Sequence, residues 1–144
     1  MSDLWKKLQV KDHKICAILN EPPQVTVLSD SPPSNLTIET SGDGVSRETD
    51  VLIVFVGSAA DIKRDAGLLD SLRDDPEPLV WFCYPKKSSK RYKTDITRDH
   101  GWAPVLDRGW EGVRQVAIDD DWSALRFRPR SRIAKYTRKT QIGR

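Results

Sequence analysis

Cysteine and histidine are scarce in this sequence, with two of each among 144 residues. Cys16 and Cys83 each lie inside an apolar run, where a buried, reduced thiol is the expected state. His13 and His100 are isolated, and neither a C-x-x-C nor an H-x-x-x-H spacing occurs. Because a metal such as zinc needs several such ligands close together, the sequence predicts neither a metal centre nor a thiol redox centre.

Long apolar runs are also missing. No stretch approaches the roughly 20 residues of a membrane span, and residues 1–14 lack the apolar core of a secretion signal. We therefore expect a cytoplasmic protein. The composition, 38% hydrophobic and 31% charged, is that of a globular protein, and the length predicts one domain over residues 1–130, followed by a loosely ordered basic tail over residues 131–144.

Short apolar runs predict the strands. Val51–Val56 and Leu79–Tyr84 are apolar at every position, which is typical of strands buried on both faces of a parallel sheet. Between them, Ser58 and Asp61 resemble a capping box, and the apolar spacing that follows predicts a helix to Arg73. A strand, helix, strand unit predicts an α/β domain with a mainly parallel sheet.

The remaining elements are predicted with less regular patterns. Further strands are expected at residues 14–20, 36–40, 113–118 and 122–128, the last two as an antiparallel hairpin. Short helices are expected over residues 2–10 and, broken into pieces, from Asp95 to about Gly109. Residues 24–28 fit either a short strand or a connector.

Cations are concentrated in two segments. Residues 86–93 carry five cations and residues 126–144 carry eight, without an acid in either, so the rest of the chain has a net charge of −10 although the total is +3. Pooled charge of one sign creates a local field that attracts anions. We therefore expect an anionic partner, either a phosphate-bearing small molecule or nucleic acid.

The first basic segment follows the strand that ends at Tyr84. Ligands of open α/β sheets bind outside the carboxyl ends of the strands, and Thr94 or Asp95 is expected to cap a helix whose first N–H groups also face an anion. The predicted ligand-binding residues are Lys86, Lys87, Ser88, Ser89, Lys90, Arg91, Lys93 and Thr94. The alternative is that the loop is only solvated surface.

The second basic segment alternates arginine with other residues. In an extended backbone Arg126, Arg128, Arg130 and Arg132 would all point to one side, and guanidinium groups suit phosphate. This pattern predicts a polyanion-binding surface, with a solubilising tail as the alternative. The acids of residues 119–121 are interpreted as a solvated turn, and a pairing with Arg114 or Arg126 is left open.

Three segments carry a resemblance to a known family: Tyr84–Ser89 (YPKKSS), Thr94–Asp99 (TDITRD) and Gln115–Arg128 (QVAIDDDWSALRFR). They resemble a bacterial family of small proteins of unknown function, over about residues 8–129. The resemblance implies a single Rossmann-like, truncated methyltransferase-like α/β sandwich. The chain departs from the family where Asp12 replaces a glycine and where Glu21–Gln24 replaces an A-P-x-G-F turn.

A methyltransferase-like fold raises an enzyme alternative, acting on a phosphorylated substrate or using S-adenosylmethionine. Glu39 fits the acid that binds the ribose after the second strand. The turn Asn20–Gln24, however, has two prolines and no glycine where the backbone must approach this cofactor. We therefore predict no cofactor, and a non-catalytic binder of a phosphate-bearing or polyanionic ligand as the principal function.

Overall fold

Six strands form one mixed sheet in the computed structural model, which describes residues 3–25, 28 and 32–133. The strands are β1 Ile15–Leu19, β2 Thr37–Glu39, β3 Val51–Phe55, β4 Leu79–Pro85, β5 Trp110–Ala117 and β6 Trp122–Pro129. The described helices are α1 Asp3–Lys7, α2 Ala59–Asp65 and α3 Ala103–Leu106, with 3-10 turns at Gly42–Gly44, Ala66–Ser71 and Arg130–Arg132.

The strand order is β2-β1-β3-β4-β6-β5. β1 to β4 are parallel to one another, and β6 is antiparallel to both β4 and β5. The predicted α/β class with a C-terminal hairpin is confirmed.

β3 and β4 lie at the centre of the sheet. Every residue of both strands is buried, and they pair in parallel with Val51 opposite Leu79. Ser58 caps the crossover helix α2 by accepting a hydrogen bond from the Asp61 N–H at 3.2 Å, while Asp61 Oδ2 accepts one from the Gly57 N–H at 2.9 Å. The predicted Ser58 cap is therefore present, although the Asp61 side chain bonds to the N–H of Gly57 and not, as in a full capping box, to that of Ser58. The helix is shorter than predicted, since the chain tightens into the 3-10 turn after Asp65.

The helix start predicted at Thr94 or Asp95 is wrong, whereas one short piece of the broken helix expected up to about Gly109 is present as α3. The Asp95 carboxylate accepts a hydrogen bond from the Ala59 N–H at 2.8 Å, so it caps α2 and not a helix of its own. Thr94 Oγ1 accepts from the Ile96 N–H, a local bond that competes with helix formation. Gly101 then has φ of +104°, and only the four residues of α3 are helical. Ile96 nevertheless packs in the core. The helix-like spacing of apolar residues in this segment therefore reflects which side chains are buried and not a helical backbone.

Apolar residues cover both faces of the sheet. On one face Trp102 contacts the rings of Phe82 and Phe127, with ring centroids 5.8 and 5.1 Å away. On the other face Trp81 Nε1 donates to the Leu8 carbonyl at 2.9 Å, which holds the segment after α1 against the sheet. Cys16 and Cys83 are buried and free, as predicted, and burial raises the pKa of Cys16 to about 12.

Two predictions fall wholly or partly outside the described residues. The described residues exclude residues 26 and 27 of the segment 24–28, which fitted either a strand or a connector. They also exclude residues 134–144 of the predicted tail. Among the described helices, none combines the length and the apolarity needed to cross a membrane.

Asp50 joins three parts of the sheet at its amino end. Its Oδ2 accepts hydrogen bonds from the N–H groups of Lys14 and Ile15 at 2.8 and 2.9 Å, where β1 begins. Its Oδ1 accepts a hydrogen bond from Arg73 Nη2 at 2.8 Å. Partial burial opposes ionisation of Asp50. The bonds from Ile15, Arg73 and Lys14 outweigh burial, so the pKa of Asp50 lies below its ordinary value.

Replacing Asp50 with asparagine should lower the free energy of unfolding by about 2 kcal/mol, because charge-assisted hydrogen bonds are lost. A carboxyl with a lowered folded pKa stabilises the fold above its unfolded pKa of about 3.9 and loses this contribution as the pH falls through the folded value. Urea denaturation at several pH values should therefore show a difference between wild type and variant that narrows below about pH 4. Asp43→Asn, at an exposed position, is the control. An Asp50→Asn effect no larger than the control would contradict this role.

Candidate functional site

A cleft of about 350 Å³ opens at the carboxyl end of β4. It is lined by Tyr84, Lys86, Lys87, Ser88, Ile96, Thr97, Arg98, Gln115 and Ser123. The structure thus brings three of the predicted ligand-binding residues, Lys86, Lys87 and Ser88, to one cleft. The other five, Ser89, Lys90, Arg91, Lys93 and Thr94, do not line it. The helix N-terminus expected beside this loop is absent, because residues 94–97 form no helix.

The charge of the cleft is positive. Lys86, Lys87 and Arg98 are its charged lining residues, and no carboxylate is among the residues that line it. Neither lysine makes an ion pair with any carboxylate of the described residues. Arg98 lies 3.3 Å from Asp99, but both side chains are more than half exposed, so water screens this pair strongly. An anion entering the cleft therefore meets cations whose charge is not cancelled.

The floor of the cleft is less polar. The Tyr84 ring packs against Trp102, and the Tyr84 hydroxyl accepts a hydrogen bond from Gln115 Nε2 at 2.9 Å. Burial raises the pKa of Tyr84 to about 12, so the phenol stays protonated near neutral pH. The floor therefore offers neutral hydrogen-bonding groups under a cationic rim.

Sequence reasoning missed six lining residues, Tyr84, Ile96, Thr97, Arg98, Gln115 and Ser123. Thr97 and Arg98 belong to the TDITRD segment, whose position in the family resemblance was the one signal available. Gln115 and Ser123 come from the hairpin, since the antiparallel pairing sets Ser123 opposite Tyr84. A register of this kind cannot be read from local sequence.

Asp121 holds the basic loop against the hairpin turn. The Lys86 N–H donates to the Asp121 carbonyl, and Ser89 Oγ donates to Asp121 Oδ1, both at 2.8 Å. Arg91 Nε lies 3.8 Å from Asp121 Oδ2. Asp119 closes the same turn by accepting from the N–H groups of Asp121 and Trp122. The run of acids is a turn, as predicted, but its ionic partner is Arg91 and neither of the arginines considered in the hairpin.

The four alternating arginines do not form one extended row. Arg126 and Arg128 lie on β6 and both approach Glu77, at 3.7 and 2.8 Å. β6 ends at Pro129, and the next two arginines lie in a 3-10 turn. Arg130 approaches Glu111 at 3.7 Å and Arg132 approaches Asp75 at 3.4 Å. The predicted geometry is therefore wrong beyond Pro129, and each guanidinium lies beside a carboxylate of its own chain.

The turn after β1 is where S-adenosylmethionine would approach a fold of this class. Asn20 has φ of +61°, so it supplies the left-handed conformation that a glycine was expected to provide. Its side chain is already bonded, because Asn20 Nδ2 donates to Asp65 Oδ2 at 3.2 Å. Pro22 and Pro23 have no N–H to offer. The Glu39 carboxylate packs against Gly44. The described residues of this turn therefore do not form a cradle for the cofactor.

Comparison with known proteins supports the fold alone. No protein-family model matches the chain, and no curated protein matches it significantly. Among solved structures, a chain in the crystal structure of a fibrillarin/Nop5p complex is similar with a TM-score of 0.50 and 10% identity, covering 83% of this chain and 74% of that one. A putative type 11 methyltransferase from Sulfolobus solfataricus gives a TM-score of 0.48 and 9% identity, over 94% and 82% of the two chains. The chain thus has a Rossmann-like α/β fold.

Removing the Asp121 carboxylate should loosen the basic loop without unfolding the protein. Asp121→Ala deletes the Ser89 and Arg91 contacts, a loss of about 1 kcal/mol for a partly exposed group. Amide hydrogen exchange in residues 87–92 should then be about fivefold faster. Asp120→Ala makes the same charge change at the exposed neighbouring residue and should leave the exchange unaltered. Equal acceleration in both variants would mean that Asp121 does not hold the loop.

S-adenosylmethionine should not bind. The proline-containing turn after β1 lacks free donors for the cofactor, and the Asn20 amide is engaged by Asp65. Isothermal titration calorimetry with S-adenosylmethionine and with S-adenosylhomocysteine should give no heat of binding at micromolar protein. Micromolar binding of either compound would contradict the prediction and make Glu39 the first residue to test as the ribose contact.

Proposed function

We propose that the protein binds a phosphate-bearing small molecule, without catalysing a reaction on it, in the cleft at the carboxyl end of β4. The observation that carries this proposal is the pair Lys86 and Lys87, two cations without ionic partners among the described residues, at a cleft with no carboxylate in its lining. The Ser88 and Thr97 side chains add hydroxyl donors at the same rim. Ammonium and hydroxyl groups together suit the oxygens of a phosphate.

The composition of the cleft favours binding over catalysis. A general base that operates near neutral pH is usually a histidine or a carboxylate, and neither type is among the residues that line the cleft. Burial raises the pKa of Tyr84 in the lining to about 12, which keeps its phenol protonated. Acid–base chemistry on a bound ligand would need a group from elsewhere.

The placement of the other cations favours a small ligand over a polyanion. Binding to a long phosphate backbone needs a row of uncompensated cations. Arg128, Arg130 and Arg132 each lie within 4.0 Å of a carboxylate oxygen, and Arg126 shares Glu77 with Arg128, so this segment does not form a continuous row of uncompensated cations. Lys86, Lys87 and Lys90 of the loop make no ion pair with a carboxylate of the described residues, and Lys86 and Lys87 meet at one compact cleft.

Inorganic pyrophosphate is a suitable probe, because it has phosphate oxygens and no base or sugar. Lys86→Ala/Lys87→Ala should weaken its binding at least about tenfold, as expected when two charge-assisted contacts are lost. The matched control is Lys6→Ala/Lys7→Ala, which removes an adjacent lysine pair from exposed positions of α1 and should change the affinity less than twofold. Isothermal titration calorimetry at fixed ionic strength measures both.

Two results would overturn the proposal. If both double variants weaken pyrophosphate binding equally, the attraction comes from net charge and not from the cleft. If pyrophosphate does not bind but mixed RNA and DNA are retained in a mobility-shift titration at about 50 mM salt, the polyanion alternative replaces it. In that case deleting residues 131–144 should make the dependence of log affinity on log salt shallower.

A further inference from the structure

A second cleft, of about 330 Å³, lies at the opposite end of the sheet. It is lined by Gln9, Lys11, His13, Glu77, Pro78, Leu79, Arg126 and Arg128. These residues come from the segment before β1, the start of β4 and the second half of β6. The cleft thus shares no lining residue with the one proposed to bind phosphate, and a ligand here would bind independently.

The charges in this cleft do not balance. Arg128 holds Glu77 in a two-point contact, with Nε and NH2 2.9 and 2.8 Å from the two carboxylate oxygens. The Arg126 guanidinium is left with a longer 3.7 Å approach to the same carboxylate and a 2.6 Å hydrogen bond from NH1 to Gln9 Oε1. Lys11 is exposed and adds a further cation. Three cations thus face one carboxylate.

Arg126 is also incompletely hydrogen-bonded. Its Nε is buried and has no partner among the described residues, and its side chain is 21% exposed. Burial and the neighbouring Arg128 charge lower its pKa, which means that its surroundings disfavour the cation as they stand. A buried cation without a full set of partners costs free energy, so an anion near it would be stabilising.

His13 supplies a neutral donor beside these cations. Its Nδ1 accepts a hydrogen bond from the Lys11 N–H at 3.0 Å, so the proton of the neutral ring is on Nε2. Burial lowers the pKa of His13, with Arg73 and Arg126 acting in the same direction and Asp50 and Asp12 opposing them. At neutral pH the Nε2–H of the ring can therefore donate a hydrogen bond to a ligand without adding positive charge.

We propose that this cleft, between Lys11, His13 and Arg126, is a second anion-binding site for a compact dianionic oxyanion group such as a phosphate or sulfate. The lining carries a surplus of two positive charges over Glu77, which a dianion neutralises. The hydrogen-bond donors are the Lys11 ammonium, the imidazole N–H and the outer nitrogens of the guanidinium.

The chain offers a direct readout, because His13 and His100 are its only histidines. Sulfate is the probe, since it keeps a charge of −2 over the whole range used. In nitrogen-detected NMR of the imidazole rings, sulfate at fixed ionic strength should shift the His13 signals saturably and leave those of exposed His100 nearly unchanged. A sulfate bound in contact with the imidazole should raise the pKa of His13 by about one unit. By linkage, sulfate should then bind about tenfold more tightly when His13 is protonated.

The variants separate this site from the first. Lys11→Ala, at an exposed position, should weaken sulfate binding severalfold, and Arg126→Gln should abolish the His13 shift. Lys63→Ala on α2, outside both clefts, should have no effect, and the Lys86→Ala/Lys87→Ala variant should retain the full response. The proposal fails if sulfate shifts His13 no more than chloride does, or if Lys63→Ala weakens binding as much as Lys11→Ala. Because Lys11 is exposed, the test stands even if Arg126→Gln does not fold.

Discussion

The antiparallel register between β4 and β6 determines where both clefts lie. Pro85 at the end of β4 is opposite Trp122 at the start of β6, and Val80 is opposite Phe127. One end of this pair brings the acidic hairpin turn beside the basic loop, and the other brings Arg126 and Arg128 beside Glu77, just before β4. A slip of one residue would turn the arginine side chains to the opposite face of the sheet. The buried residues of the two strands therefore fix positions of charged groups that the apolar core does not otherwise constrain.

The two basic segments differ in how much water reaches them, and this explains their different pairing. Arg126 and Arg128 extend from a strand whose other residues are mostly buried, and a partly desolvated cation needs a nearby carboxylate. Glu77 supplies this carboxylate, and its negative charge balances part of the positive charge of Arg126 and Arg128 that the sequence suggested was available to a ligand. Lys87 and Lys90 are exposed on a loop, remain solvated and make no ion pair with a carboxylate of the described residues. The charge of these loop lysines is therefore available to a ligand, whereas Arg126 keeps only the charge that Glu77, bound closely by Arg128, does not balance.

Local signals in the sequence predicted the centre of the fold, whereas contacts between distant segments escaped prediction. The apolar runs of β3 and β4 and the Ser58 cap depend on neighbouring residues, and all three are present. The helix expected at Thr94 fails because the Asp95 carboxylate bonds to Ala59, 36 positions earlier. The row of arginines ends at Pro129, where the strand ends, and these arginines are paired with acids from two other segments. The position just after a strand was enough to predict Lys86, Lys87 and Ser88 as site residues. The register of the hairpin, which local sequence does not reveal, is what brings Gln115 and Ser123 to the same cleft.

The fold and the charge distribution favour different positions for a ligand on the same edge of the sheet. In open α/β sheets the usual site lies where the strand order reverses, here between β1 and β3. In the described part of that region, donors are already met by carboxylates: Asp61 accepts from Gly57, Asp65 from Asn20, and Asp95 from Ala59. Such groups repel a phosphate, whereas the lysines beyond β4 attract it. A fold does not by itself imply a function, so the charges near each position are the better guide to where a phosphate would bind. They favour the cleft beyond the carboxyl end of β4 over the position between β1 and β3.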